Sequence, residues 1–247
     1  MAVVPGGDEQ LVVRADRTVR ILARDMSIVS DFELSTPPGA LSIAASEESI
    51  YATINDGDYI ACLTHDGTKV ASYEDPQKRI TDPVLAPGGL LFCVLYEDGD
   101  GELEEIVALD AQTLQPRHRF GLSLLKEAGG MAVVGEELFV CDCGNDRLQV
   151  FSLAGEHRRS ITGEWKRPAA LCFVKDRLYL VEEQDYVEDE DGELVDPLCG
   201  RRIFVLSLQG ETLQVYTHPV EGQLFEIICY YDGKLLAPFV DLSLIHI

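Results

Sequence analysis

Short apolar runs separated by turn-forming residues recur along the chain, and residues 129–164 show this unit most clearly. Four segments in it are apolar or alternate apolar with polar side chains, as β-strands do. These predicted strands are Met131–Val134, Glu137–Asp142, Arg147–Leu153 and His157–Thr162. The segments between them are rich in Gly, Asn and Asp, which favour tight turns. The unit therefore predicts four short strands joined by hairpins. Helical periodicity is nearly absent, and only Ser123–Glu127 could form one helical turn.

The same order of strands and turns repeats along the chain with a period typical of β-propeller blades. The third strands of five such units are centred roughly 40–55 residues apart, and four-stranded blades have this spacing. Their centres are Ile21, Cys62, Ala108, Val150 and Val205. The predicted fold class is all-β: a six-bladed β-propeller with five complete four-stranded blades and two strands of a sixth.

The blade boundaries follow from this repeat. We predict one propeller domain over residues 1–242 and a tail over residues 243–247. The blades span about residues 1–35, 36–78, 79–122, 123–164 and 165–220, and a partial blade spans residues 221–242. A propeller closes by packing its last blade against its first, so we expect a chain truncated in its last blade. A five-bladed ring with two additional strands is the alternative.

Residues 140–151 carry a motif that resembles the NHL repeat. Asp142, Asn145 and Arg147 stand between hydrophobic positions at the spacing of that repeat. Asp142 and Asn145 can cap the turn, and Arg147 can form an ion pair with Asp142 across adjacent strands. In the fifth blade Glu182 and Arg202 replace Asp142 and Arg147. The resemblance implies a six-bladed NHL or TolB-like propeller. Because the other blades match less well, a lactonase-like or lyase-like propeller is the alternative.

Composition bears on the partner and the compartment. The 247 residues carry a formal net charge of −23, from 43 acidic and 20 basic residues. This charge repels phosphate backbones and anionic lipid, so it disfavours nucleic acid and membranes as partners and favours a basic protein. We see no transmembrane run and no signal peptide. Most of the seven cysteines lie in apolar runs, which predicts free thiols and a cytoplasmic location.

Two acidic insertions are predicted between the second and third strands of their blades. The first covers residues 97–105 and the second covers residues 185–196. The candidate binding residues in them are Asp98, Asp100, Glu102, Asp189 and Asp191. Both insertions should project from the same face, and neither has the spacing of an EF-hand loop. We interpret them as a docking surface for a basic partner or a weak calcium site. The alternative is a solvated hairpin tip that prevents aggregation.

The link between the fourth and fifth blades holds a second candidate. Trp165 stands beside Lys166 and Arg167, and an aromatic residue next to two bases is typical of a contact hot spot. The alternative is that Trp165 fills the interface between the two blades.

The predicted inner strands carry few polar atoms, which bears on catalysis. Only Ser42, Cys172, Glu226 and Cys229 offer one. A single carboxylate is too few for a divalent cation that needs six or more oxygen ligands, so we expect no catalytic residue, no metal and no cofactor.

Together these features predict a non-catalytic NHL-repeat scaffold for protein–protein interaction. One alternative is a lactonase-class or lyase-class enzyme with a divalent metal in the central channel. The others are an RNA-binding NHL domain and the substrate-recognition part of a ubiquitin-ligase system.

Overall fold

The structure is a computed structural model in which nearly all regular elements are strands. It describes residues 1–4, 10–15, 18–23, 25–34, 42–54, 57–97, 104–183, 198–219, 224–225, 228–231 and 234–236. Within these ranges the one helical element is a short 3-10 turn, Cys143–Asn145. None of the described helices is long and apolar enough to cross a membrane.

The strands of the described residues form five four-stranded antiparallel sheets and one two-stranded sheet, each in chain order. The sheets, which we call blades 1 to 5 and partial blade 6, confirm the predicted fold class. Blade 1 comprises β1 (Ala2–Val4), β2 (Gln10–Ala15), β3 (Thr18–Leu22) and β4 (Ile28–Glu33). Blade 2 comprises β5 (Ile43–Ala45), β6 (Ile50–Ile54), β7 (Tyr59–Leu63) and β8 (Lys69–Glu74). Blade 3 comprises β9 (Arg79–Ala86), β10 (Leu90–Tyr96), β11 (Glu105–Asp110) and β12 (Pro116–Phe120). Blade 4 comprises β13 (Ala128–Val134), β14 (Glu137–Asp142), β15 (Arg147–Ser152) and β16 (His157–Thr162). Blade 5 comprises β17 (Pro168–Val174), β18 (Arg177–Glu182), β19 (Arg202–Leu206) and β20 (Thr212–Thr217), and partial blade 6 comprises β21 (Cys229–Tyr231) and β22 (Lys234–Leu236).

The chain divides into two compact units. Unit 1 contains Met1–Leu124 and Tyr231–Gly233, and unit 2 contains Leu125–Tyr230 and Lys234–Ile247. Blades 1 to 3 belong to unit 1, and blades 4 and 5 belong to unit 2. In unit 1, β1 packs against β5 and β5 against β9, and in unit 2, β13 packs against β17. The first strands of successive blades are therefore neighbours, as the inner strands of a propeller are.

The apolar core of each unit lies between neighbouring blades. In unit 2, Phe139 and Leu148 of blade 4 pack with Leu180 and Phe204 of blade 5 around Trp165. The middle strand β6 is buried throughout, because blades 1 and 3 cover its two faces. The fourth strands β4 and β8 are exposed at alternate residues instead. This difference explains why middle strands read as continuous apolar runs and fourth strands as alternating ones.

Blade 4 shows where the predicted strand bounds hold and where they shift. The second and fourth strands match the prediction, and the third ends at Ser152. The first begins at Ala128, three residues before Met131, because the register shifts between these two residues. Gly129 and Gly130 lie at this register shift, and a Cβ at Gly130 would lie 2.8 Å from the carbonyl oxygen of Ala169. Glycine therefore lets β13 approach β17 closely. Residues 123–127 form turns and no helix.

Candidate functional site

In blades 4 and 5 the residues of the NHL-like motif lie at one edge of the sheet. Asp142, at the end of β14, pairs with Ala128 at the start of β13 and with Arg147 at the start of β15. In blade 5, Glu182 pairs in the same way with Pro168. The turn between the second and third strands and the loop that leads into the blade therefore meet here. We call this edge, where the second strand ends, the signature edge.

The carboxylate of Asp142 organises the signature edge of blade 4. It is fully buried, and its Oδ1 accepts hydrogen bonds from Asn145 Nδ2 and from the backbone N–H of Lys126, both at 2.8 Å. Its Oδ2 accepts from Arg147 Nε at 2.6 Å and from Gln149 Nε2 at 3.2 Å. The ion pair expected from the sequence is present, whereas the Asp142 side chain does not cap the 3-10 turn and instead accepts a hydrogen bond from the Asn145 side chain across it. One carboxylate thus fixes both the turn and the leading loop of its own blade.

Blade 5 builds the same arrangement from different residues. Glu182 is fully buried and receives two hydrogen bonds from Arg202, from Nε at 2.7 Å and from Nη2 at 2.9 Å. The backbone N–H of Lys166 donates to its Oε1 at 2.7 Å, as that of Lys126 does to Asp142. The substitution recognised in the sequence therefore keeps the function of the pair in holding the leading loop.

The two basic candidates, Lys166 and Arg167, take part in a contact that joins blades 4 and 5. Asp146, which follows the 3-10 turn of blade 4, accepts the backbone N–H of Arg167 at 2.7 Å and lies 3.2 Å from Lys166 Nζ. The Arg167 guanidinium lies 2.9 Å from Glu127 and 2.5 Å from Glu183. We call this set of five residues the latch. Both bases are thus paired with acids of the same chain.

Trp165, the aromatic candidate, is fully buried. Its ring packs edge-on against Phe204 of blade 5, with 6.2 Å between the ring centroids, inside the apolar cluster that joins blades 4 and 5. This placement supports the alternative in which Trp165 fills the interface between the blades.

The acidic candidates Asp98, Asp100, Glu102, Asp189 and Asp191 lie outside the described residues. The strands that flank them are described. The first insertion connects β10 to β11, and the second connects β18 to β19. Their predicted position between second and third strands is confirmed. Both insertions therefore begin and end at the signature edge of their blades.

Sequence reasoning missed one group, the carboxyl of Asp82. The inner strand of blade 3, β9, starts at Arg79 and includes Thr81 and Asp82, two polar residues beyond the four that the sequence placed on the inner strands. The expectation of only four polar residues on the inner strands was therefore wrong. Asp82 and Pro83 together oppose Cys93 of β10, so β9 bulges here. The signal in the sequence is the Asp-Pro pair, because proline inside a sheet is confined to edges and bulges.

Asp82 lies among hydroxyl groups. Its backbone has a φ of 47°, in the left-handed region. Ser42 Oγ lies 3.5 Å from Asp82 Oδ1 and 3.1 Å from Thr81 Oγ1. Burial raises the pKa of Asp82 more than the hydrogen bonds from Thr81 and Ser42 lower it. Among the described residues, no lysine, arginine or histidine forms an ion pair with this carboxyl.

The cysteines are free thiols, as expected from the sequence. Burial raises the pKa of Cys172 to about 12 and that of Cys229 to about 11, so both favour the neutral thiol. The described part of the chain holds no group of three or more potential metal ligands.

Comparison with known proteins shows the fold of the chain and no more. No protein-family model matches the sequence, and no curated protein matches it. A protein of unknown function from Bacteroides caccae is similar in structure, with a TM-score of 0.66 and 11% identity over 97% of this chain and 93% of that one. BamB from Moraxella catarrhalis has a TM-score of 0.57 and 15% identity, over 98% of this chain and 82% of that one. A functionally unknown protein from Desulfotomaculum acetoxidans DSM 771 has a TM-score of 0.63 and 13% identity, over 96% of this chain and 78% of that one.

These similarities and the repeated four-stranded sheets define the chain as a β-propeller.

Proposed function

We propose that this protein is a non-catalytic propeller scaffold of the NHL type that binds a basic protein through the signature edge. The observation that carries the proposal is the acid–arginine pair that recurs in blades 4 and 5. Asp142 with Arg147, and Glu182 with Arg202, each join the second strand to the third and hold the backbone of a leading loop. Such a frame keeps the positions from which a loop projects fixed, which lowers the entropy lost on binding.

The charge of the chain supports a basic partner. The formal net charge is −23, and two acidic insertions begin at the signature edge. Complementary charge speeds association and selects against acidic competitors. The two bases of the latch, Lys166 and Arg167, are paired with acids of the chain, so they do not repel a basic partner as unpaired bases would. We further propose a cytoplasmic location, which the free thiols support.

Binding of a defined basic peptide tests this proposal. The probe is a fluorescein-labelled peptide of alternating lysine and glycine, and a glutamate–glycine peptide is the control ligand. Fluorescence anisotropy is measured at about 0.1 M salt, where screening suppresses interactions beyond roughly 10 Å. The test variant neutralises five acids of the insertions: Asp98→Asn, Asp100→Asn, Glu102→Gln, Asp189→Asn and Asp191→Asn. We expect its affinity to fall at least about tenfold.

A matched variant removes the same number of charges from turns at the opposite edge of the blades. Its five exposed acids lie in turns between first and second or third and fourth strands: Glu47→Gln, Glu48→Gln, Glu136→Gln, Asp176→Asn and Glu211→Gln. We expect its affinity to change less than about twofold. An equal loss in both variants would reduce the effect to net charge and overturn the proposal. So would unchanged binding in the insertion variant.

A further inference from the structure

We propose that Ser42, Thr81 and Asp82 form a binding site for a primary ammonium group. This inference does not rest on the proposed scaffold function, because the site lies on β9 and directly before β5 and not in the insertions. It begins with an unusual carboxyl. Asp82 is only partly exposed, and within the described ranges its carboxyl has hydroxyl groups and no basic residue as hydrogen-bond partners. Carboxylates that are largely shielded from water are ordinarily paired with a cation or bound to a metal.

The backbone at Asp82 adopts a strained conformation beside its carboxyl group. A positive φ is uncommon for any residue other than glycine, and a following proline further restricts the backbone. Such positions are energetically unfavourable and concentrate at functional sites. Bulges of this kind redirect a side chain and are frequent beside binding sites. Here the bulge at Asp82 and Pro83 accompanies the contact of the carboxyl with Ser42 of the neighbouring blade.

Ser42 is itself held in place. Its backbone N–H donates to Thr53 Oγ1 at 3.0 Å, and its carbonyl oxygen accepts the backbone N–H of Thr53 at 3.2 Å. Thr53 is almost fully buried in β6. The Ser42 hydroxyl is therefore presented to Thr81 and Asp82 by a fixed backbone, and little ordering is needed when a ligand binds.

The number of acceptors selects the ligand. Ser42 Oγ, Thr81 Oγ1 and the Asp82 carboxylate are three oxygen sites, and a primary ammonium has three N–H donors. A hydroxyl has two lone pairs, so each can accept from the ammonium while donating to a neighbour. Calcium takes six or more oxygens, and the described residues hold no group of three acidic, histidine or cysteine ligands. A guanidinium presents its donors in a plane, which suits a bidentate carboxylate better than this set.

The ammonium can come from a lysine side chain of a partner or from a small free amine. The probes are therefore n-butylammonium and the peptide Gly-Gly-Lys-Gly-Gly. The control ligand is trimethylbutylammonium, which has the same charge and no N–H donor. Binding is measured on the full chain by NMR, from the amide shifts of residues 42, 81 and 82 and the carboxyl carbon shift of Asp82. Tighter binding of the peptide assigns the ammonium to a partner lysine, and tighter binding of n-butylammonium assigns it to a small amine.

Two variants and one control decide the outcome. Asn tolerates positive φ, so Asp82→Asn keeps the fold while removing the charge. We expect it to weaken n-butylammonium binding at least about tenfold, and Ser42→Ala to weaken it by a smaller factor. The control, Asp66→Asn, alters an exposed carboxylate of unit 1 that accepts hydrogen bonds from Thr64 and Thr68, and we expect unchanged binding. The proposal is overturned by equal binding in wild type and Asp82→Asn, by equal binding of trimethylbutylammonium, or by no binding to wild type.

Discussion

Asp142 of blade 4 is fully buried and Asp82 of blade 3 is partly exposed, and the surroundings of the two carboxyl groups differ as well. Asp142 accepts four hydrogen bonds, three of them from the side chains of Asn145, Arg147 and Gln149. Asp82 lies near two hydroxyl groups, and no basic residue of the described ranges is paired with it. Asp142 ends β14 with a negative φ of −103°, whereas Asp82 has a left-handed backbone at a bulge.

The difference separates a structural carboxylate from one available to a ligand. The donors to Asp142 come from residues within one hairpin and its leading loop, so the charge is compensated before any partner arrives. At Asp82 the compensation is incomplete, and the backbone is strained as well. Structural acids should therefore stabilise the fold, whereas Asp82 should cost stability in the free protein.

Removal of Asp142 should give the largest effect. Asp142→Ala leaves Gln149, which is almost fully buried, and the backbone N–H of Lys126 without this acceptor, and it removes the ion pair of Arg147. Loss of one partner of a buried pair typically costs 3–5 kcal/mol. Because the Arg147 side chain is 31% exposed and can reach water, we expect a loss of about 3 kcal/mol. Chemical denaturation followed by tryptophan fluorescence measures it, since Trp165 lies in the adjoining core.

The control for this change is Glu136→Ala, an exposed acid at the opposite edge of the same blade. We expect it to alter the free energy of unfolding by less than about 0.5 kcal/mol. If Asp142→Ala were as mild as the control, the carboxylate would not hold the turn and the loop.

Asp82→Gly should change stability in the opposite direction. Glycine adopts a positive φ without strain, and the substitution removes a carboxyl that is largely shielded from water, so we expect a gain of about 1 kcal/mol near neutral pH. A raised native pKa means that the folded state keeps its proton after the unfolded state has lost it, so this term lowers stability as pH rises. The gain should therefore shrink in acid, below the ordinary Asp pKa of about 3.9.

Denaturant titrations at several pH values measure this gain. The neighbouring titratable group is Cys93 on β10, whose pKa burial also raises, and it stays a neutral thiol throughout this range. A destabilised Asp82→Gly protein, or a gain that is larger in acid, would contradict the comparison.

The sequence predicted the features that depend on local residue pattern, and it did not predict those that depend on the pairing register of the strands. The strands of blade 4 and the pair of Asp142 with Arg147 follow from residues close in sequence, so periodicity and spacing were sufficient. Asp82 was missed because a bulge extended β9 beyond the apolar run that marked it. The surroundings of Arg167 were missed for a different reason. Its partners Glu127 and Glu183 lie far from it in the chain, and no local pattern links them.

A third carboxylate, Asp146 of the latch, should show the smallest effect. Asp146→Asn keeps a carbonyl oxygen for the backbone N–H of Arg167 and tolerates the φ of 52° at this position. It removes only the pair with Lys166, whose side chain is 55% exposed. Exposed pairs contribute about 0.2–1 kcal/mol, so we expect a loss of about 0.5 kcal/mol that disappears in about 1 M salt. Thermal unfolding at low and high salt measures it. A loss near that of Asp142→Ala would contradict this ranking, because the latch would then stabilise the leading loop of blade 5 as much as the buried Asp142 stabilises that of blade 4.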